Sequence, residues 1–220
     1  MTEPKHDMID HLTDNLRPVH PLRNDRLWAG AVAGLLLAYI YIYVLCGFRP
    51  EIMAMTKGVW PGHLMPIVKP LLFLGLGVCA LAAVARLTRP EGQMKGVYLL
   101  PVMVSFGVIL TGTIIGLMTN SPEITHQQLD GGGPVCFTTI LCGGTVGLVL
   151  LWRFWLRKSA SSHPVALAAM SGLAVSSLMA SAYALRCNMD SPIYLLVFYG
   201  MGLLIMTNLS AWLGRYFLRW

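Results

Sequence analysis

Residues 27–47 read LWAGAVAGLLLAYIYIYVLCG and contain no charged or histidine side chain. A helix rises about 1.5 Å per residue, so a run of this length can cross a hydrocarbon layer of about 30 Å. The run is also too long for the apolar core of a signal peptide, so we expect it to remain in the protein as an anchor. It predicts a transmembrane helix.

Five further apolar runs of spanning length follow the first one. They cover residues 66–85, 97–118, 134–155, 164–185 and 192–213. Only 12% of the 220 residues are charged, against about 25% in soluble domains, and the mean hydropathy is +0.63. We predict an all-α, polytopic membrane protein with two parts. Residues 1–26 form a cytoplasmic segment with a short amphipathic helix, and residues 27–220 form a bundle of six transmembrane helices.

The basic residues predict the orientation of the bundle. About twelve of the 16 Lys and Arg precede the first run, follow the last, or occupy the second and fourth connections. The remaining four, Arg49, Lys57, Lys69 and Arg186, are assigned to the opposite side. The positive-inside rule therefore places both termini in the cytoplasm. Because the net charge of +6 is divided among separate connections, it does not indicate direct binding of nucleic acid.

We expect the interior of the bundle to lack Asp, Glu, Lys, Arg and His. Such an interior disfavours ion-coupled transport, which uses buried ionisable groups, and haem binding, which needs histidines within helices. Small residues recur instead at a spacing that permits close helix approach. The pairs are Gly30 with Gly34, Gly112 with Gly116, and Gly143 with Gly147. We interpret them as packing within the bundle, with homodimerisation as the alternative.

The first 26 residues predict a binding element. Met8, Ile9, Leu12 and Leu16 fall at helical spacing, and Pro18 ends the helix that they define. A short amphipathic helix without a domain to pack on is marginal in water, so it favours a groove on a partner protein. Acidic residues on its other faces disfavour the bilayer surface as the partner. The alternative is a juxtamembrane leader that binds nothing.

Three of the five cysteines fall at the outer ends of predicted spans: Cys46, Cys136 and Cys187. On an oxidising outer face, two thiols can form a disulfide or capture a soft metal ion, whereas the simpler interpretation is packing. Cys79 and Cys142 lie within spans and are interpreted as small buried apolar residues. Soft ligands on the same side could come from Met53, Met55, Met65 and His63. No catalytic triad, phosphate-binding loop or carboxylate pair is evident in the sequence.

Several segments in a fixed order resemble the NrsF family of bacterial inner-membrane anti-sigma factors, which have six spans. They are DMIDHLTDNLRPVHPLR at 7–23, FRP at 48–50, RLTRP at 86–90, YALRC at 183–187, DSP at 190–192 and LRW at 218–220. The resemblance covers essentially the whole chain. Its order of segments, rather than any single motif, is what identifies it.

The resemblance implies a regulatory protein, not an enzyme. Its N-terminal segment would sequester a sigma factor of the extracytoplasmic-function (ECF) class, and its bundle would sense an envelope stress. The sigma-factor-binding residues would be Met8, Ile9, Leu12, Leu16, Arg17, Pro18 and Arg23. Arg17 and Arg23 would pair with acidic residues around the groove that receives the apolar stripe.

The resemblance also implies that Cys136 and Cys187 read the stress signal, with Cys46 and Arg186 as additional candidates. The family has His where this chain has Arg186, which favours a disulfide over a metal site here. No resident cofactor is expected, apart from a transient heavy-metal ion at the cysteines. A small membrane transporter, a thiol redox protein and a structural subunit of a larger complex remain alternatives. For thiol chemistry, Arg186 is the cation expected to lower the pKa of Cys187.

Overall fold

The protein is described by a computed structural model that covers residues 24–60, 62, 64–89, 92, 96–119, 132–159 and 161–217. Within these ranges, six helices are long and apolar enough to cross a membrane. The long helices are α1 (Asn24–Cys46), α3 (Met65–Leu87), α4 (Leu100–Thr119), α5 (Gly133–Phe154), α6 (Pro164–Ala184) and α7 (Pro192–Phe217). A short helix, α2 (Pro50–Met55), follows α1. The predicted all-α class and the six spans are confirmed.

Helix α6 is the centre of the bundle. It packs against α3, α5, α7 and α1, and 72% of its apolar segment is buried, against 6% for α1 and for α4. Small side chains permit this position because they let neighbouring backbones approach closely. Gly172 is an example, since a Cβ there would lie 2.5 Å from the carbonyl oxygen of Met206 on α7. The Ser171, Ser176 and Ser177 hydroxyls donate to carbonyls within α6, so these buried polar groups are satisfied.

The glycine pairs on α5 and on α1 differ in what lies next to them. On α5, a Cβ at Gly143 would lie 2.5 Å from the Met179 sulfur and one at Gly147 would lie 3.3 Å from Val175, so this pair packs against α6 as predicted. On α1, a Cβ at Gly30 or Gly34 would meet nothing within 4 Å. The prediction of bundle packing is therefore wrong for the pair on α1, because that face points away from the bundle.

The prediction of a bundle without charged side chains is also wrong. Lys69 lies within α3 and is 2% exposed. Its position near the start of the helix brings its long side chain to the loop that joins α6 to α7, where the ammonium finds polar partners. A buried cation needs such partners, because desolvation without compensation is costly.

The connection after α1 turns back onto the centre of the bundle. The Arg49 amide donates to the carbonyl of Leu185, at the end of α6, over 2.9 Å. Pro50 then begins α2, which fits the first helical turn because its missing N–H would have no partner there. This contact places the α6–α7 loop, residues 185–191, at the end of the bundle where α1 ends.

Candidate functional site

Cys136 lies in the first turn of α5 and is fully buried. The start of α5 is pressed against the ring of Phe198, because a Cβ at Gly133 would lie 2.0 Å from Phe198 Cζ. Only glycine permits this approach. Phe198 belongs to a π-helical turn at Leu195–Gly200 within α7, a type of turn that is frequent at functional sites.

Cys187 lies in the α6–α7 loop and is 7% exposed. Its thiol is within hydrogen-bonding reach of the Cys136 thiol, and both cysteines are free. The Cys187 thiol also lies 4.0 Å from the carbonyl oxygen of Met189 and 3.9 Å from the Tyr194 hydroxyl. The structure thus brings together the two cysteines that the family resemblance singled out.

Two tyrosines of α7 line the thiol pair. Tyr194 is 1% exposed and Tyr199 is fully buried. The Tyr199 hydroxyl is close enough to both thiols to interact with them electrostatically, yet it makes no hydrogen bond of standard geometry within the described part of the chain. Its ring stacks on Phe73 of α3, with centroids 4.9 Å apart. The pair is therefore enclosed by aromatic side chains and shielded from bulk solvent.

Lys69 supplies positive charge beside Cys187. Its Nζ donates to the carbonyl oxygens of Met189, at 2.7 Å, and of Cys187, at 3.4 Å. It lies 3.6 Å from Asp190 Oδ1 and 4.8 Å from the centre of the Tyr199 ring. The sequence analysis counted Lys69 only as one of the charges on the side opposite the termini, so its role at the thiols was missed. Its place inside an apolar run was the signal that could have revealed it.

Arg49 holds the same loop from the other side. Its Nη1 and Nη2 donate to the two carboxylate oxygens of Asp190 at 3.0 and 2.9 Å, and Nη1 also donates to the carbonyl of Cys187 at 3.2 Å. Its Nε donates to Glu51 at 3.1 Å. The guanidinium is buried, and such a two-point contact fixes both distance and orientation. We call Arg49, Lys69 and Asp190 the clamp.

The surroundings of Cys187 lower the pKa of its thiol below the ordinary value. The hydrogen bond from Cys136 is the largest cause, burial opposes it, and the charge of Lys69 adds to the lowering. A lowered pKa increases the fraction of thiolate, which is the species that reacts with oxidants and soft metals. The arrangement favours Cys187 as the reacting thiol and Lys69 as the cation that assists it.

The structure also describes the other cysteines and Arg186. Arg186 is exposed, and Lys69 takes the place that the sequence analysis gave to it as the cation near Cys187. Cys46 is partly buried at the end of α1, near the same end of the bundle as the pair. Cys142 is exposed on α5, so its expected burial is wrong, whereas Cys79 is partly buried.

Several predictions concern residues that the structure does not describe. His63 and the sigma-factor-binding residues Met8, Ile9, Leu12, Leu16, Arg17, Pro18 and Arg23 lie outside the described ranges. Within those ranges, no group of three or more His, Cys, Asp or Glu residues could hold a metal ion. Two thiols remain the donors available to a soft ion at this site.

Comparison with known proteins supplies the family. A family model described as "Negative regulator of sigma F" matches residues 12–220. The anti-sigma-F factor NrsF of Caulobacter vibrioides (strain NA1000 / CB15N) is 28% identical over 221 residues, which cover 97% of this chain and 98% of that protein. No solved structure matches the chain. Six helices of spanning length and a match over nearly the whole chain agree with the resemblance found in the sequence, and the chain belongs to the NrsF family of negative regulators of sigma F.

Proposed function

We propose that this chain is an anti-sigma factor of the bacterial inner membrane that holds an ECF sigma factor through residues 1–26. The partner would bind on the cytoplasmic face, where both termini lie. Release follows when an oxidant or a soft metal ion reaches Cys136 and Cys187 from the envelope side. The bundle itself serves as anchor and detector.

One observation carries the proposal: the thiol pair and the N-terminal segment are at opposite ends of α1. The proposed binding residues of the segment, Met8 to Arg23, precede Asn24, where α1 begins, and the loop that carries Cys187 contacts Arg49, just after α1 ends. A helix of 23 residues is roughly 34 Å long, which is enough to cross a bilayer core of about 30 Å. A signal received at one face could therefore control a binding segment at the other.

The chemistry at the pair is simple. Oxidation removes two protons and two electrons from the two thiols and forms one S–S bond, with the electrons passing to the oxidant. A soft metal ion would displace the thiol protons and bind both sulfurs. Both reactions start from neighbouring thiols of which one has a lowered pKa, and this is the arrangement at Cys136 and Cys187.

A thiol redox protein is the second candidate, and the cation beside Cys187 is the observation that favours it. The burial of both cysteines opposes it, because a protein disulfide substrate could not reach a pair that is 0% and 7% exposed. Membership in a family of regulators also favours a sensor. Turnover of a small dithiol by the purified protein would support the redox alternative.

The test is co-purification of the sigma factor with the full-length chain from membranes. Leu12→Asp places a charge in the apolar stripe and should reduce the retained sigma factor at least tenfold, since a buried leucine contributes about 1.5–3 kcal/mol. Asp14→Asn, which changes a charge on the face opposite the stripe of the predicted helix, is the matched control and should retain the partner. Retention by Leu12→Asp equal to that of the control would refute the proposed interface.

The sensing half is tested by Cys136→Ser/Cys187→Ser. This variant should retain the sigma factor after treatment with diamide or cadmium, whereas the wild type releases it. Cys142→Ser changes an exposed thiol on the same helix as Cys136 and should respond like the wild type. A normal response of the double variant would exclude the thiol pair as the detector.

A further inference from the structure

We infer that the clamp positions Cys187 and transmits disulfide formation at the thiol pair to α1. The inference rests on the proposed function, because it supplies the connection between the detector and the helix that carries the binding segment. Nothing in the sequence motifs assigns this role to Arg49, Lys69 or Asp190.

The clamp fixes the loop of Cys187 through its main chain. Three carbonyls of the loop have partners there: Leu185 bonds the Arg49 amide, Cys187 bonds both cations, and Met189 bonds Lys69. Because the carbonyl of Cys187 is held by two positive groups, its thiol cannot move far while the clamp is intact. The loop therefore presents Cys187 to Cys136 in one position.

The ion pairs of the clamp are either formed or broken, with no stable arrangement in between. Both cations are about 2% exposed, and the Asp190 side chain is 16% exposed. Buried charges must keep their partners or leave the site, since an unpaired buried charge is strongly unfavourable. A switch that transmits a signal needs two distinct arrangements, and such a charge cluster provides them.

The attachment of α1 to the rest of the bundle explains why the clamp matters. Among the described residues of α1, only Leu27 and Ile42 are buried, and the Tyr39 hydroxyl shares a 3.0 Å hydrogen bond with Ser181 of α6. Arg49 follows α1 directly and adds the buried ionic contact at its far end. When that contact opens, α1 keeps few attachments and can shift against the bundle.

Disulfide formation opens the clamp because it changes the position of Cys187. An S–S bond is about 2.05 Å long, so two sulfurs at hydrogen-bonding separation must move closer to form it. The two thiols lose two protons and two electrons, and diamide takes them up and becomes the hydrazine. The approach of Cys187 to the helix of Cys136 pulls the loop away from Arg49, so the clamp opens and α1 is released.

The experiment uses the full chain in detergent with its co-purified sigma factor. Asp190→Asn and Arg49→Gln remove the two-point ion pair, and Arg186→Gln removes one charge from the same loop outside the clamp as the matched control. With the thiols reduced, each of the two clamp variants should retain at least about fivefold less sigma factor than the wild type. The control should retain as much as the wild type. Arg49→Lys keeps the charge and should give partial retention.

Two further readouts separate transmission from a merely structural effect. Cys136–Cys187 disulfide formation with diamide must still occur in the clamp variants, since it shows that the site is assembled. In the wild type, diamide should increase amide hydrogen exchange in residues 48–56 and 185–191 together, and Cys136→Ser should abolish the increase. This second measurement decides the question even where a clamp variant fails to reach the membrane.

The outcomes distinguish the two proposals. If the wild type keeps its sigma factor after oxidation, the proposed sensing function fails. If the wild type releases it, but the clamp variants retain and release it like the wild type, the inference fails. Unchanged exchange in residues 48–56 on oxidation of the wild type also overturns the inference.

Discussion

At the scale of single residues, Lys69 is the side chain whose role is least evident from the sequence. A lysine close to the end of an apolar run ordinarily extends its ammonium toward water. Here the ammonium instead meets the carbonyls of Cys187 and Met189 and the Tyr199 ring, and it is buried. Its charge stabilises a thiolate at Cys187, so a residue assigned to the orientation of the bundle contributes to thiol reactivity.

We predict that Lys69→Met slows alkylation of Cys187. Methionine keeps the length of the side chain but removes a charge that lowers the thiol pKa to about 5, so the pKa rises and the thiolate fraction at pH 5, where the comparison is made, falls. One pKa unit corresponds to about tenfold, and we expect a decrease of about threefold to tenfold. The measurement is peptide-level mass spectrometry after timed exposure to iodoacetamide.

The matched control is Lys57→Met, which removes an exposed lysine from the connection that precedes α3. Its alkylation rate at Cys187 should equal that of the wild type. A rate for Lys69→Met that is equal to or greater than that of the wild type would show that the ammonium does not act on the thiol.

At the scale of elements, the thiol pair depends on how α5 begins. Gly133 allows the Phe198 ring to rest against the first turn of α5, and the π-helical turn directs Tyr199 toward Cys136. Pro134 follows in the first turn, where its missing N–H costs nothing. No local pattern marks Gly133 for this contact, because the ring that packs on it comes from a distant part of the chain.

We predict that Gly133→Ala separates the two thiols. The new Cβ would lie 2.0 Å from Phe198 Cζ, so either the ring or the start of α5 must shift. Overpacking of this kind costs about 1–3 kcal/mol. Disulfide formation with diamide, measured by mobility shift after maleimide labelling, should slow severalfold.

Two further variants test whether the collision with Phe198 causes the slower disulfide formation. Gly107→Ala on α4 adds a methyl where nothing lies within 4 Å, and it should leave the disulfide rate unchanged. Gly133→Ala/Phe198→Leu removes the ring that collides and should restore much of the rate. A double variant as slow as Gly133→Ala would indicate that Phe198 is not the obstacle.

At the scale of the whole molecule, the helices are attached unequally. α3 and α6 are deeply buried, whereas α1 is covered over little of its surface. The helix that follows the proposed binding segment is thus among the least constrained of the six. In the proposed function, the binding segment precedes one end of α1 and the thiol pair lies near the other end. The loose attachment of α1 would let it move when the thiols react.

We predict that Gly30→Leu is tolerated and that Gly143→Leu is not. Both residues are the first glycine of a small-residue pair, but a Cβ at Gly30 meets nothing within 4 Å and one at Gly143 lies 2.5 Å from the Met179 sulfur. Membrane abundance and melting temperature should stay unchanged for the first variant and fall for the second. A loss of abundance in Gly30→Leu would indicate that this face of α1 is covered in the membrane, as a second copy of the chain would cover it.

Much of the fold followed from local properties. Run lengths and the distribution of charges predicted six spans, because the bilayer imposes a fixed length on each apolar segment. The order of short segments identified the family, which the match over residues 12–220 confirms. The position of Cys136 and Cys187 near helix ends followed from the same boundaries. The contacts that those two cysteines make did not follow from the sequence.

Which side chains meet depends on how the helices pack together. Arg49 and Asp190 are separated by 141 residues, and Lys69 and Cys187 by 118, so no local pattern couples them. Hydropathy treats each residue alone, and it cannot tell a lysine beside water from one turned toward a buried loop. The lengths of the apolar runs alone were enough to predict six helices that are long and apolar enough to cross a membrane. Packing between helices determined that two thiols, two cations and one carboxylate form a single buried cluster, because desolvated charges are stable only beside their partners.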